Sequence, residues 1–314
     1  MIGVISGLVC AFMVALRSVI YKDSDLGLLF LVPMAGMGLM LFSWMYFFYH
    51  YWQDPERYHQ EKPGVYPLTT NPFRNVFLPG TILASLINFL RYFAEFAAIY
   101  LLPIGISVPL LALTTFSSYY FDYMLQGTQI LPQQYLGGIL SVIGAILLNW
   151  EILKKKEHKT LWYKLGITCL LFAILSEGYL LTRSQLIIRQ TSEEEAFVSE
   201  TTFSGLLMLP LLFVYLFYLR KKLHQSLPKS NFDWIVTSAF FFLVPLGVYF
   251  RLLALKELEE IFFVLLLNLS GLMAMIIGSF IWNEKIKFPS LVGAILVMIA
   301  VWVASRKKES SLEK

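Results

Sequence analysis

The sequence predicts an all-α integral membrane protein in which ten transmembrane helices form two inverted five-helix repeats. Three observations carry that expectation. Of 314 residues, 57% are hydrophobic and only 15% charged, against about 25% charged in soluble domains. Apolar runs of about 17–25 residues, the length that crosses a hydrocarbon core, recur from end to end. Residues 98–143 also align with 254–299 at a constant offset of 156, without a gap.

The first span is Ile2 to Tyr21. It is apolar but lacks a positive n-region and a small-residue cleavage site, so it reads as a retained helix and not as a signal peptide. Four more spans follow, at about Gly27 to Tyr51, Phe77 to Leu101, Ile104 to Leu125 and Gln134 to Trp150. A charged connection at 151–160 separates these from Leu161 to Thr182, Thr201 to Leu219, Phe232 to Leu255, Ile261 to Trp282 and Pro289 to Ser305. The expected organisation is a first repeat at 1–150, the connecting loop at 151–160, a second repeat at 161–305 and a polar tail at 306–314. Continuous apolar runs without period-two alternation select helices over a barrel. Most of the seven tryptophans fall near span ends, where amphipathic rings favour the headgroup level.

The longest connection, Gln53 to Asn75, carries Pro55, Pro63, Pro67 and Pro72, which argue against a further helix there. It reads as a solvated loop, with a lid or docking role as the alternative. Cys10 and Cys169 lie in apolar runs and read as small reduced core residues. Lysines and arginines divide almost evenly between the two faces of such a bundle, so the positive-inside rule sets no orientation.

Within the repeat, Ala98 meets Ala254, Leu102 meets Leu258, Val108 meets Val264 and Leu113 meets Leu269. Gly137 then meets Gly293, and Ile139 and Leu140 meet Ile295 and Leu296. A repeat of five helices is odd in number, so the second copy enters the membrane upside down. That arrangement typically encloses a site near the midplane.

Two blocks carry a family resemblance: Ala97 to Leu148 and Ala254 to Ala304. Both look like a pattern in which a third or eighth helix ends near Leu-Pro, a fourth or ninth helix and a short turn follow, and a closing helix is opened by glycine. Asn283-Glu284-Lys285 is similar to the acidic turn that precedes the last helix of the drug/metabolite transporter superfamily. The sequence resembles that superfamily in its ten-helix EamA-like branch. The first-half turn, Gln126-Gly127-Thr128, lacks the acid, the second span lacks the arginine common there, and the second-to-third loop is longer than usual. The resemblance implies a multi-pass protein of a bacterial cytoplasmic membrane that carries a small solute. Its substrate class stays open, since members carry amino acids, sugars and nucleotide sugars, lipid-linked sugars, choline and drugs.

Ionisable side chains at membrane depth cost about 2.5–3.5 kcal/mol each on insertion scales, so each is a functional candidate. Asn88, Arg91, Tyr92 and Glu95 follow i, i+3, i+4, i+7 and share one face of the third span. Arg91 and Glu95, at i and i+4, either neutralise each other or divide the work, with Arg91 holding an anion and Glu95 a proton or a substrate cation. In the fourth span Thr115, Ser118, Tyr119 and Asp122 share a face, read as packing with Tyr119 and Asp122 as the cavity candidates. Asp122 lies near the span's end and can simply reach water. Arg251 occupies the position that matches Glu95 across the repeat. Opposite charges there form either a pair across the axis or two poles for a zwitterion. Glu177 is the second coupling candidate, with pairing to Arg17 or Arg251 as its structural alternative. Asn268 and Gly271 mark a face of the ninth span, where close packing is the competing reading. Arg17 and Arg183 sit near span ends and are expected to snorkel.

His50, His59, His158 and His224 lie in loops or at span ends, and no HExxH motif, paired-aspartate motif, catalytic Ser/His set or phosphate loop occurs. The expectation is therefore a secondary transporter and not an enzyme. It needs no cofactor or metal and binds no nucleic acid, and its partners are a small-molecule substrate, the lipid bilayer and a proton or counter-substrate, as monomer or homodimer. A non-transporting binding or scaffold protein is the rival class, distinguished by the absence of solute flux. Within transport, a nucleotide-sugar or lipid-linked-sugar carrier is the alternative.

Overall fold

Backbone amides in hydrocarbon have no water to bond, and a helix answers locally because each N–H finds a carbonyl four residues back. The computed structural model describes residues 1–22, 28–56, 72–102, 111–148, 150, 161–219, 228, 230–282 and 286–305. Of these, 91% are helical and none is in a strand. In chain order the helices are α1 Ile2–Lys22, α2 Leu28–Gln53, α3 Pro72–Val76, α4 Pro79–Leu101, α5 Thr114–Gln126 and α6 Pro132–Leu148. The second half holds α7 Leu161–Gln190, α8 Glu193–Val214, α9 Asn231–Glu257, α10 Glu260–Leu267, α11 Leu269–Trp282 and α12 Phe288–Ser305. A π-helical turn, Tyr215–Leu219, continues α8.

Six helical stretches among the described residues are long and apolar enough to cross a membrane: Phe30–Gln53, Pro79–Ala98, Leu161–Gln190, Glu193–Tyr218, Asn231–Glu257 and Glu260–Ile281. Shorter apolar stretches, Ile2–Arg17, Pro132–Leu148 and Phe288–Ala304, lie in α1, α6 and α12. The outer surface is apolar as well. Phe217, Phe280 and Phe288 are 75%, 81% and 76% exposed, a surface suited to lipid and not to water. This is an all-helical integral membrane protein.

Helix ends depart from the sequence expectation at two places. The sixth span continues past Thr182 to Gln190, and the seventh begins at Glu193, not Thr201. The cause is a capping box: the Ser192 side chain accepts from the Glu195 amide while the Glu195 carboxylate accepts from the Ser192 amide. The expectation of no helix in the second-to-third connection also fails locally. Pro72 opens the five-residue α3, where a missing N–H costs nothing. The rest of that loop at 57–71, Pro103, Pro109, the 151–160 connection, the Asn283-Glu284-Lys285 turn and the 306–314 tail lie outside the described residues.

Helices α4 and α9 stop alike. Leu102 and Leu258 are both extended, at φ −111°, ψ 146° and φ −114°, ψ 154°, and their amides bond to Ala98 and Ala254 carbonyls at 2.8 Å. In the second half the following helix breaks between α10 and α11, and α5 opens in the first half with the same bonding. The Thr115 amide donates to the Ala112 carbonyl at 3.2 Å and the Gly271 amide to the Asn268 carbonyl at 3.4 Å, the tighter i→i−3 pattern.

Helices α6 and α12 cross on small residues. A Cβ on Gly144 would meet the Gly293 carbonyl oxygen at 2.7 Å, and one on Gly293 would meet the Gly144 carbonyl oxygen at 2.5 Å. One turn-pair away, a Cβ on Gly137 would meet the Ala300 carbonyl oxygen at 2.9 Å. Backbone contact this close is the small-residue packing of membrane helices, where lipid gives no hydrophobic drive to association.

Candidate functional site

Five helices contribute to a chain of alternating buried charges. Arg17 Nη2 on α1 lies 3.1 Å from Glu95 Oε1 on α4, and Glu95 Oε2 accepts from Arg91 Nη1 at 2.9 Å. The same Arg91 nitrogen is 2.8 Å from Glu177 Oε2 on α7. Glu177 Oε1 is 3.6 Å from Arg251 Nη1 on α9, and Arg251 Nη2 is 3.7 Å from Glu200 Oε2 on α8. Glu200 Oε1 ends the run 3.9 Å from Arg183 Nη1 on α7. None of these side chains is more than 15% exposed. Attraction between such ions is offset by their desolvation, so the chain specifies which helices meet more than it adds stability.

The chain forms one wall of a cavity of about 160 Å³. Arg17, Arg91, Glu95, Glu177 and Arg251 face it, together with apolar side chains from α1, α7, α9 and α10. The candidate residues read from the sequence lie on the third, fourth, sixth, eighth and ninth spans; α1 joins them at the cavity with Cys10, Met13, Val14 and Arg17. Tyr92 lies against the cavity, and the Arg91 guanidinium carbon sits 4.2 Å from its ring centroid. Asn88 accepts from Arg91 Nε at 3.2 Å and lines a smaller pocket with Ser184, Glu200 and Arg251. Asn268, at the break between α10 and α11, lines the main cavity and donates to Thr115 Oγ1 at 3.0 Å and Ser141 Oγ at 2.7 Å.

Tyr119 and Asp122 do not join this group. They belong to a second polar network at the end of the bundle where Gly3 abuts Glu257 and Leu258. Tyr119 donates to the Gln134 carbonyl at 2.6 Å, and Asp122, 4% exposed, accepts from Thr128 at 3.2 Å without opening to solvent. Bonds here link the two halves directly. Gln126 donates to Gln185 at 3.1 Å and accepts from Arg189 at 2.7 Å, while Gln134 donates to Glu259 at 3.1 Å. Thr182 donates to the buried Glu260 carboxylate at 2.9 Å.

Two expectations need correction. Arg17 and Arg183 do not snorkel: Arg17 pairs with Glu95, and Arg183, 3% exposed, donates to Thr81 Oγ1 at 3.0 Å. Inward-facing carboxylates capture both, and for Arg183 the helix also extends beyond the apolar run that set its expected end at Thr182. Glu200 escaped the sequence reading for the same reason. The Ser192-x-x-Glu195 signature was the signal that would have placed it about two turns inside a helix.

Residues 164–306 match the EamA-like transporter family. The match supports the drug/metabolite transporter superfamily, whose members are transporters. The EamA-like stretch supplies Glu177, Arg183, Glu200 and Arg251, and the residues before it supply Arg17, Arg91 and Glu95. No curated protein sequence matches the chain. Among 28 matching chains of solved structures is a crystal structure that superposes on 96% of this chain and 96% of its own, with a TM-score of 0.72 at 13% identity. At that identity the likeness shows the fold alone.

Proposed function

We propose that this chain is a secondary transporter of the ten-helix EamA-like branch, moving a small metabolite or amphipathic solute by alternating access. The observation that carries the reading is the cavity itself, walled by both halves and by five ionisable side chains at membrane depth. Such groups are costly in a bilayer and mark solute pathways.

Paired details support an inverted repeat of 1–150 on 161–305. Leu102 and Leu258, the bonds at Thr115 and Gly271, and the Gly137–Ala300 and Gly144–Gly293 contacts all exchange at the offset of 156. The network around Gln126, Gln134, Gln185 and Glu259 then acts as a closed gate at one end of the bundle. Its bonds break and re-form as the cavity changes the side it faces.

Two guanidiniums hold Glu95, which makes it part of the charge scaffold more than a free proton carrier. Exchange of one solute for another therefore suits the site better than proton coupling through Glu95. The decisive experiment is counterflow in proteoliposomes loaded with a metabolite library. Accumulation of labelled solute against an unlabelled excess is expected. Folded, monodisperse protein that drives no counterflow with any solute points to the scaffold reading instead.

A further inference from the structure

Charge bookkeeping along the central chain leaves a remainder. Arg17, Arg91, Arg183 and Arg251 alternate with Glu95, Glu177 and Glu200, so both ends of the run are cationic and its arginines outnumber its carboxylates four to three. Each carboxylate is already shared by two guanidiniums. The main cavity, whose two carboxylates are Glu95 and Glu177, thus favours an anion over a cation.

The four arginines are not equally engaged. Arg17 lies 3.1 Å from Glu95, Arg91 holds Glu95 at 2.9 Å, Glu177 at 2.8 Å and Asn88 at 3.2 Å, and Arg183 donates to Thr81 at 3.0 Å. Arg251 approaches its two carboxylates only to 3.6 Å and 3.7 Å, outside hydrogen-bond distance, and its buried Nε has no hydrogen-bond partner among the described residues. A guanidinium carries five donors in a planar fork suited to a carboxylate or sulfonate. Arg251 also faces both the main cavity and the smaller pocket. The remaining wall is apolar, from Met13, Val14, Leu111, Ala173, Val248 and Leu267.

We infer that the cavity binds a small organic monoanion with an apolar body, its acidic headgroup received by Arg251 and its body lying against the α1, α7 and α9 side chains. This names the substrate class of the transporter reading and rests on it for transport, though not for binding. A dianion brings one charge more than the cluster lacks. A zwitterion requires a carboxylate free to receive its amine, and the two that face the main cavity, Glu95 and Glu177, each lie between two guanidiniums.

The test is a thermal-shift series on the purified wild-type protein with five-carbon probes: pentanoate, pentane-1-sulfonate, pentylamine, pentanamide, glutarate and norvaline. The two monoanions are expected to raise Tm saturably and the other four to leave it in place. Arg251→Gln is expected to abolish the shift, with Arg251→Lys retaining a weaker one. Equal stabilisation by the amine, the amide or norvaline overturns the inference, as does a flat response to both monoanions. The wild-type series decides the matter even if R251Q fails to fold. Labelled pentane-1-sulfonate, which carries a permanent charge, then separates the two readings in proteoliposomes. Saturable binding without flux keeps the anion site and removes the transporter. Flux of another solute without monoanion binding does the reverse.

Discussion

Glu177 shows how much one side chain holds in this bundle. Its two oxygens lie against Arg91 at 2.8 Å and Arg251 at 3.6 Å, so a single carboxylate joins α4 to α9 through α7. Removing one member of a buried charge group leaves its partners desolvated, at a cost of about 3–5 kcal/mol. Glu177→Gln is expected to lower unfolding stability in detergent by that order, and adding Arg251→Met should restore part of it by removing a stranded cation. A double variant less stable than the single one would show that the charges are not coupled. Glu95→Gln, at the other shared carboxylate, is expected to abolish counterflow at every pH tested. A surviving activity with an altered pH profile would return Glu95 to a proton-carrying role. The helical spacing of Asn88, Arg91, Tyr92 and Glu95 made this face legible from sequence, because i, i+4 neighbours meet whatever surrounds them. The partners on α1 and α8 were not legible, because long-range pairing depends on how helices cross.

Among elements, the crossing of α6 and α12 is the most restrictive. Gly144→Ala puts a methyl 2.7 Å from the Gly293 carbonyl oxygen and 3.0 Å from the Val297 amide, which are backbone atoms that cannot swing away. Overpacking of this kind costs about 1–3 kcal/mol. Gly80, in the first turn of α4, has nothing within 4 Å of a built Cβ. Gly80→Ala should be neutral or stabilising by about 0.4–1 kcal/mol through the unfolded chain. Thermal unfolding of the two variants side by side checks both, and similar melting points would mean the glycine crossing is not a tight fit. Segment existence was readable because apolar run length is set by the bilayer. Segment ends were less so, since Arg183, Ser184, Gln185 and Glu200 look like loop residues until their buried partners are known. The break at Asn268 was hidden as well, in a run that is apolar on both sides of it.

At the scale of the whole molecule, alternating access requires some contacts to part. Gln126 and Gln185 touch across α5 and α7 at the proposed gate, whereas Ser290 donates to the Leu148 carbonyl at 2.9 Å within the α6–α12 crossing. Cysteines introduced at 126 and 185 in a C10A/C169A background, bridged by a cleavable bis-maleimide, are expected to stop counterflow until the linker is cut. The same linker between positions 148 and 290 should leave counterflow intact. Inhibition by both bridges alike would mean that the gate is not where motion occurs. The salt-bridge chain gives this contrast a mechanical meaning. It ties α1, α4, α7, α8 and α9 together, while Asn268 joins the α10–α11 break to α5 and α6 and the glycines join α6 to α12. Both sets of contacts fasten helices of the first half to helices of the second. Under the proposed repeat, neither copy can then move as one rigid piece against the other while they hold.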